Sequence, residues 1–333
     1  MFCGLGMALG PGPGPEWLDF KAMGADQATQ DSNGYNSPPN PDSTQPFAPR
    51  SVANIFEAQL ALAAIGFSCG SIDGISGFQT QAALLAYQKR EGLPLTGTLN
   101  SATKARLRLE EPAWKIYRVT EEDQRRLRPL SPSWRGKSRQ DGLDYETILE
   151  LVAEKHLSHP NFIRRSNLGI DWHAALAGKQ IRVPNVTIHA PKQKADLIRI
   201  QLSSKTLKVY SENEYLIAHY PCSIARRIEK RPLGLLAVVN LADQPNYCYN
   251  PDLFPQAARN EQLTHPLMIP PGPNNPVGVA WIGLNRSGYG IHGTPAPEKV
   301  GRTESMGCFR LANWNAAHLL KMTRVGMPVY IEQ

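Results

Sequence analysis

Two short stretches near the C-terminus hold the residues best suited to covalent chemistry: Tyr289-Gly290-Ile291-His292-Gly293-Thr294 and Ser305-Met306-Gly307-Cys308-Phe309-Arg310-Leu311. A cysteine attacks a carbonyl as thiolate, yet a free thiol with a pKa of about 8.5 is only a few per cent ionised at pH 7. It needs an imidazole beside it. His292, sixteen positions upstream of Cys308, can serve as general base or as ion-pair partner if the intervening chain loops back. Gly307 leaves the thiol accessible, and the amides around Gly307 and Cys308 are natural donors to the oxyanion of a tetrahedral intermediate, each worth about 2.7–4 kcal/mol in hydrolases. Arg310 offers a planar fork for a substrate carboxylate. Singly, a cysteine reads as a small buried hydrophobe, a histidine as a structural side chain and an arginine as a surface charge. Their joint spacing is what points to acyl transfer.

The elements that must position these groups follow from hydrophobic period. From Asp196 the period is two: Ile198, Ile200 and Leu202 alternate with Arg199 and Gln201, and Leu207–Tyr210 and Tyr215–Tyr220 flank the turn-forming Glu212-Asn213. Leu235–Asn240, Val277–Leu284 and Pro328–Glu332 read as further strands, with one helix from Asn313 through Leu320. A mostly β domain over 194–333 is expected. Upstream, Ile55, Ala58, Leu62 and Ile65 fall at helical spacing before Gly66; Ala83, Leu84 and Tyr87 precede Gly92; and Asn100 is an N-cap for a third helix reaching Leu107. Residues 51–110 thus form a three-helix unit. The first 50 residues include fifteen Gly or Pro and few apolar side chains, the composition of a disordered tether.

The string Gln59, Leu62, Gly66, Gly70-Ser71-Ile72-Asp73-Gly74-Ile75-Ser76-Gly77, Thr80, Ala83, Tyr87-Gln88, Gly92-Leu93, Gly97, Thr103, Leu107 resembles the small peptidoglycan-binding domain. In physical terms, Asp73-Gly74 and Gly77 build a turn requiring positive φ, and Thr80 caps the next helix. Between Lys115 and Arg139 lie eight basic side chains against three acids, and residues 111–142 read as a solvated linker. Over 143–188, Thr147 and Glu150 have capping-box spacing, Pro160 to Leu168 gives a short helix and Gln180–Pro184 a strand. This βααβ-sized stretch is similar to a degenerate LysM module, which implies glycan binding.

With the helical units described, the C-terminal constellation resembles the L,D-transpeptidase (YkuD-type) catalytic domain, whose signature is a His-Gly element followed by Ser/Thr-His-Gly-Cys-x-Arg; the likeness runs from Asp196 to Ile331 and includes Lys230-Arg231-Pro232-Leu233-Gly234. The resemblance implies that Cys308 attacks the carbonyl of the third residue of a tetrapeptide stem and expels D-alanine. His292 is then the base, oriented by the carbonyl of Gly293. Ser305, Gly307 and Arg310 shape the acyl pocket and Tyr289 lines it. Resolution by another stem's amine forms a 3→3 cross-link; resolution by water gives a carboxypeptidase. Met306 stands where many members have a second histidine, and Leu233 replaces a small residue, read as a packing choice. A non-catalytic wall-binding protein is the competing reading.

No metal or organic cofactor is implied: His156, His159, His173, His219 and His265 form no ligand pair with nearby cysteines, and His156 and His159 read as surface residues. The expected partners are peptidoglycan stem peptides and glycan strands, in keeping with a formal net charge of +7. Nucleic acid is disfavoured, since the basic residues lack aromatic interleaving. No apolar run approaches the length of a transmembrane helix, oligomeric state is left open, and no clear signal peptide is written. A periplasmic or envelope location is expected from the substrate class. Five cysteines at irregular spacing leave open whether Cys222 and Cys248 are bridged.

Overall fold

A computed structural model describes residues 47–191 and 193–333. The tether expected over 1–50, with Cys3, lies outside these residues except at its end, where Arg50 already pairs with Leu109.

Three units follow in chain order. The first contains β1 (Arg50–Ser51), α1 (Ile55–Ala64), α2 (Phe78–Arg90), α3 (Ser101–Arg106) and β2 (Arg108–Leu109). Asn54 and Asn100 cap α1 and α3 by accepting the amides of Glu57 and Thr103, as their side-chain chemistry favours. Two expectations fail here. The residue before α2 is Gly77, in an extended conformation at φ −104° and with no side-chain cap, while Thr80 is buried within the helix. Only Gly74 of the pair takes positive φ, at 75°.

The middle unit contains β3 (Trp114–Arg118), α4 (Glu121–Arg126), α5 (Trp134–Lys137), α6 (Ile148–Lys155), α7 (Pro160–Arg165) and β4 (Gln180–Pro184). The stretch expected as a basic linker is therefore built into structure. β3 pairs antiparallel with β4 along five residues, Thr120 and Asp123 form a reciprocal capping box on α4, and Arg126 makes a two-pronged ion pair with Asp144 at 2.9 Å on each oxygen. Charge counting missed this because the apolar residues between the charges, such as Val119, supply a buried face. At α6, Thr147 caps the Glu150 amide, but Glu150 reaches back to the amide of Glu146 and not to Thr147. His156 is buried against the Tyr117 ring and not at the surface.

The third unit is an eight-stranded sheet in the order β13-β12-β11-β8-β14-β5-β6-β7. Its strands are β5 (Leu197–Gln201), β6 (Thr206–Tyr210), β7 (Leu216–Pro221), β8 (Gly234–Asp243), β11 (Ala280–Leu284), β12 (Gly290–His292), β13 (Phe309–Arg310) and β14 (Pro328–Glu332), with β9 (Tyr247–Tyr249), α8 (Pro255–Glu261) and β10 (Leu267–Ile269) in an excursion after β8. Helix α9 (Asn313–Met322) packs Ala316 and Leu319 into a core with Ile200, Ile282, Ile291 and Phe309. Neighbouring strands are antiparallel except β14 beside β5 and β12 beside β13. Leu233, expected to pack, is 61% exposed just before β8.

The units share cores. Leu216 of β7 and Trp314 of α9 join the apolar cluster of the first unit. The Phe67 backbone bridges His219, so the edge of the sheet at β7 is covered, which removes an exposed row of pairing groups.

Candidate active site

The sheet brings the two motif stretches together. β12 and β13 lie side by side in parallel, with His292 opposite Arg310 and Ile291 opposite Phe309; Cys308 directly precedes β13, and no hydrogen bond joins its thiol to His292 Nε2. Both His292 and Cys308 are buried, at 1% and 5% exposure.

His292 is held in one orientation. Its Nδ1 lies 2.6 Å from the Gly293 carbonyl. A carbonyl only accepts, so the proton sits on Nδ1 and Nε2 carries the free lone pair. That Nε2 is buried without a hydrogen-bond partner. The Trp281 ring stacks on the imidazole at 5.7 Å between centroids and is itself anchored through Nε1 to Asn240. Burial, with the Arg310 charge adding to it against the Gly293 bond, takes the imidazole down to about 4.

The Cys308 thiol donates to the Gly288 carbonyl at 3.3 Å. Burial pushes it up to about 11, opposed by the Gly290 backbone and by Arg310. Thiol and imidazole are therefore both neutral near pH 7, with an unpaired basic nitrogen on the neighbouring strand.

Ser305 organises the turn before the cysteine. Its hydroxyl donates to the Cys308 carbonyl at 2.5 Å and accepts the Gly307 amide at 3.3 Å. The Gly307 amide, an expected oxyanion donor, is thus engaged, though by a long bond. Gly307 faces the Tyr289 ring, 3.8 Å from where a Cβ would sit, and Tyr289 is locked by its hydroxyl to the Lys230 carbonyl. Arg310 hydrogen-bonds the Glu304 carbonyl, while its Nε is buried and unpartnered. It borders a cavity of about 280 Å³ lined also by Ser223, Thr294, Lys299, Ser305 and Met306. The structure thus places Arg310, Ser305 and Met306 around one space and Tyr289 above Gly307. Cys222 is a buried free thiol, so it is not bridged to Cys248.

Three residues at the site escaped sequence reasoning. Trp281 faces His292 only through strand register. Ser223 exchanges backbone hydrogen bonds with Arg310 and accepts the Gly301 amide. Asn313 accepts the Thr294 amide at 2.9 Å from the start of α9. Trp281 lay in a predicted strand, but no pattern along the chain signals which residue the neighbouring strand sets opposite it.

Residues 195–331 match the YkuD family, described as the L,D-transpeptidase catalytic domain, and residues 51–107 match a peptidoglycan binding domain family. YkuD of Bacillus licheniformis is 27% identical over 183 residues, covering 55% of this chain and 92% of that protein. ErfK/SrfK of Escherichia coli is 26% identical over 185 residues, 55% of this chain and 58% of its own length. The names of both contain L,D-transpeptidase. A solved L,D-transpeptidase from Mycobacterium smegmatis shares 18% identity at a TM-score of 0.30, covering 48% of this chain and 65% of that one. The chain thus spans under two thirds of the E. coli relative and of the M. smegmatis structure.

Proposed function

Because the chain carries a YkuD-type L,D-transpeptidase catalytic domain over 195–331 and a peptidoglycan-binding domain over 51–107, we propose that it is a cell-envelope acyltransferase in which Cys308 is the nucleophile. The observation that carries the reading is the His292 imidazole: its Nδ1 proton is committed to Gly293 and its Nε2 lone pair is buried and unused, on the strand beside the cysteine.

The chemistry follows from the neutral resting pair. With the thiol near 11 and the imidazole near 4, a standing thiolate–imidazolium pair is disfavoured, so His292 acts as a general base during attack. Cys308 Sγ adds to the carbonyl of the third stem residue as Nε2 takes its proton. The tetrahedral intermediate collapses with expulsion of D-alanine, whose amine recovers that proton. The thioester then passes its acyl group to the side-chain amine of a second stem, giving a 3→3 cross-link, or to water. Arg310 at the cavity wall supports recognition of a stem carboxylate by its fork geometry, and the Ser305–Gly307–Cys308 turn supplies the amides for the oxyanion.

Incubation with tetrapeptide muropeptides, followed by mass spectrometry, tests the reading. Wild type should release D-alanine and yield dimers; Cys308→Ala should do neither while still sedimenting with sacculi. Undiminished release from the Cys308→Ala protein overturns it and leaves the wall-binding role.

A further inference from the structure

The turn that fixes His292 is itself held by a chain of hydrogen bonds that leaves the matched catalytic domain. Asn313 is 1% exposed. Its Oδ1 accepts the Thr294 amide at 2.9 Å and lies 3.4 Å from the Val279 amide. Its Nδ2 donates to the Pro273 carbonyl at 3.1 Å and to both carboxyl oxygens of Glu154, at 3.0 and 3.1 Å. Glu154 belongs to α6 of the middle unit, outside residues 195–331. Every polar atom of the amide is thus assigned: oxygen toward two N–H groups, nitrogen toward three acceptor oxygens. A flipped amide would face donor with donor and acceptor with acceptor.

The fit is close on the side that matters. A Cβ on Gly293 would come within 2.2 Å of Asn313 Oδ1, and one on Gly278 within 2.1 Å. Glycine at 293 is therefore required because the Asn313 amide occupies the space of its side chain. The same peptide unit, Gly293 to Thr294, presents its N–H to Asn313 and its C=O to His292 Nδ1. Pulling on one end turns the other, since the peptide is planar.

Resting on the reading of His292 as the base, we propose that Asn313 and Glu154 are positioning residues for it. Glu154 orients the Asn313 amide; Asn313 fixes the Gly293–Thr294 peptide; the Gly293 carbonyl holds the proton on Nδ1 and so keeps Nε2 available. The middle unit thereby completes the active site through a carboxyl group from outside residues 195–331. Glu154 is held in turn by the Tyr145 hydroxyl at 3.3 Å, and the neighbouring Asn274 ties Glu150 and the Asp144 carbonyl to the same loop.

The test uses the full chain and two readouts. Imidazole ¹⁵N spectra at pH 7, with the His292 signals assigned by their loss in His292→Gln, report the tautomer directly; D-alanine release gives kcat and KM. Wild type should show His292 as the Nδ1–H tautomer alone. Glu154→Ala should give a mixture of tautomers and lower kcat between about tenfold and a hundredfold with little change in KM, the cost of a misplaced catalytic group. Glu154→Gln retains an oxygen for Asn313 Nδ2 and should recover most of the loss. Asn313→Ala, which removes both hydrogen-bonding ends of the amide, should repeat it and carries the test if Glu154→Ala does not fold. A His292 tautomer unchanged in Glu154→Ala or in a folded Asn313→Ala overturns the proposal, whatever happens to turnover. Should Cys308→Ala still release D-alanine, the transpeptidase reading falls, and the tautomer alone still decides the positioning role.

Discussion

Ser305 is the smallest piece of the site with a measurable job. One hydroxyl bridges the Cys308 carbonyl and the Gly307 amide at 3% exposure, so Ser305→Ala leaves a buried carbonyl and a half-buried amide without that partner. Its loss should loosen the turn that aims the amides at the oxyanion. The expected outcome is a fall in kcat of about tenfold or more, with Cys308 still open to acylation by a carbapenem in a mass spectrum. At Arg310, Lys keeps the charge and loses the planar fork; Arg310→Lys should raise KM for tetrapeptide more than it lowers kcat, as read from D-alanine release. At this scale His292 and Cys308 were legible as a candidate pair, because residue type and spacing alone suggest the chemistry. Trp281 and Asn313 were not, because their partners are set by strand register and by a helix start, neither written locally.

At the scale of elements, the first unit uses one device twice. Gln59 Oε1 accepts the amides of Asp73 and Gly74 while its Nε2 donates to Asp73, the Ile75 carbonyl and Thr80. Gln88 Oε1 likewise accepts Thr96 and Gly97, and its Nε2 donates to Thr96, the Thr98 carbonyl and Thr103. Each glutamine reaches from a helix to pin the glycine turn that follows, and Thr80 and Thr103 sit in the next helix. This is why Thr80 is a buried partner and not a cap. Gln88 is fully buried, so Gln88→Leu would leave two turn amides without acceptors and should destabilise the chain by about 2–3 kcal/mol, measured by urea unfolding. Helices and strands were legible from period. The middle unit was not, since β3 pairs with β4 across more than sixty intervening residues, and short amphipathic pieces separated by charges give no sustained period.

Across the whole molecule, the three units are joined through shared apolar clusters and through direct bonds such as Gln79 to the Val300 carbonyl and Asn315 to Ser68. The first unit therefore sits on the loop between the two motif stretches. This burial has a pH consequence. His156, His219 and His292 are held down to about 4, 3 and 4 respectively, chiefly by burial. Near pH 6.5 and below, the unfolded chain binds protons at these sites that the folded chain refuses. Their stabilisation is present above about pH 6.5 and is lost as pH falls toward 4. Glu154, raised to about 8 by burial, works in the opposite sense, but as one group against three. Scanning calorimetry should show Tm dropping on the order of 10 °C between pH 7 and pH 5, and a flat profile would refute the neutral burial of these rings. The sequence by itself singled out His292 and Cys308 as candidates and determined the order of most helices and strands and the two matched domains, because each is encoded by neighbours in the chain. Only the tertiary structure decided that the basic stretch is a folded part of the middle unit, that His156 is interior and that the Glu154 carboxyl of α6 meets Asn313 behind the His292 turn, because those contacts depend on how separate units close on one another.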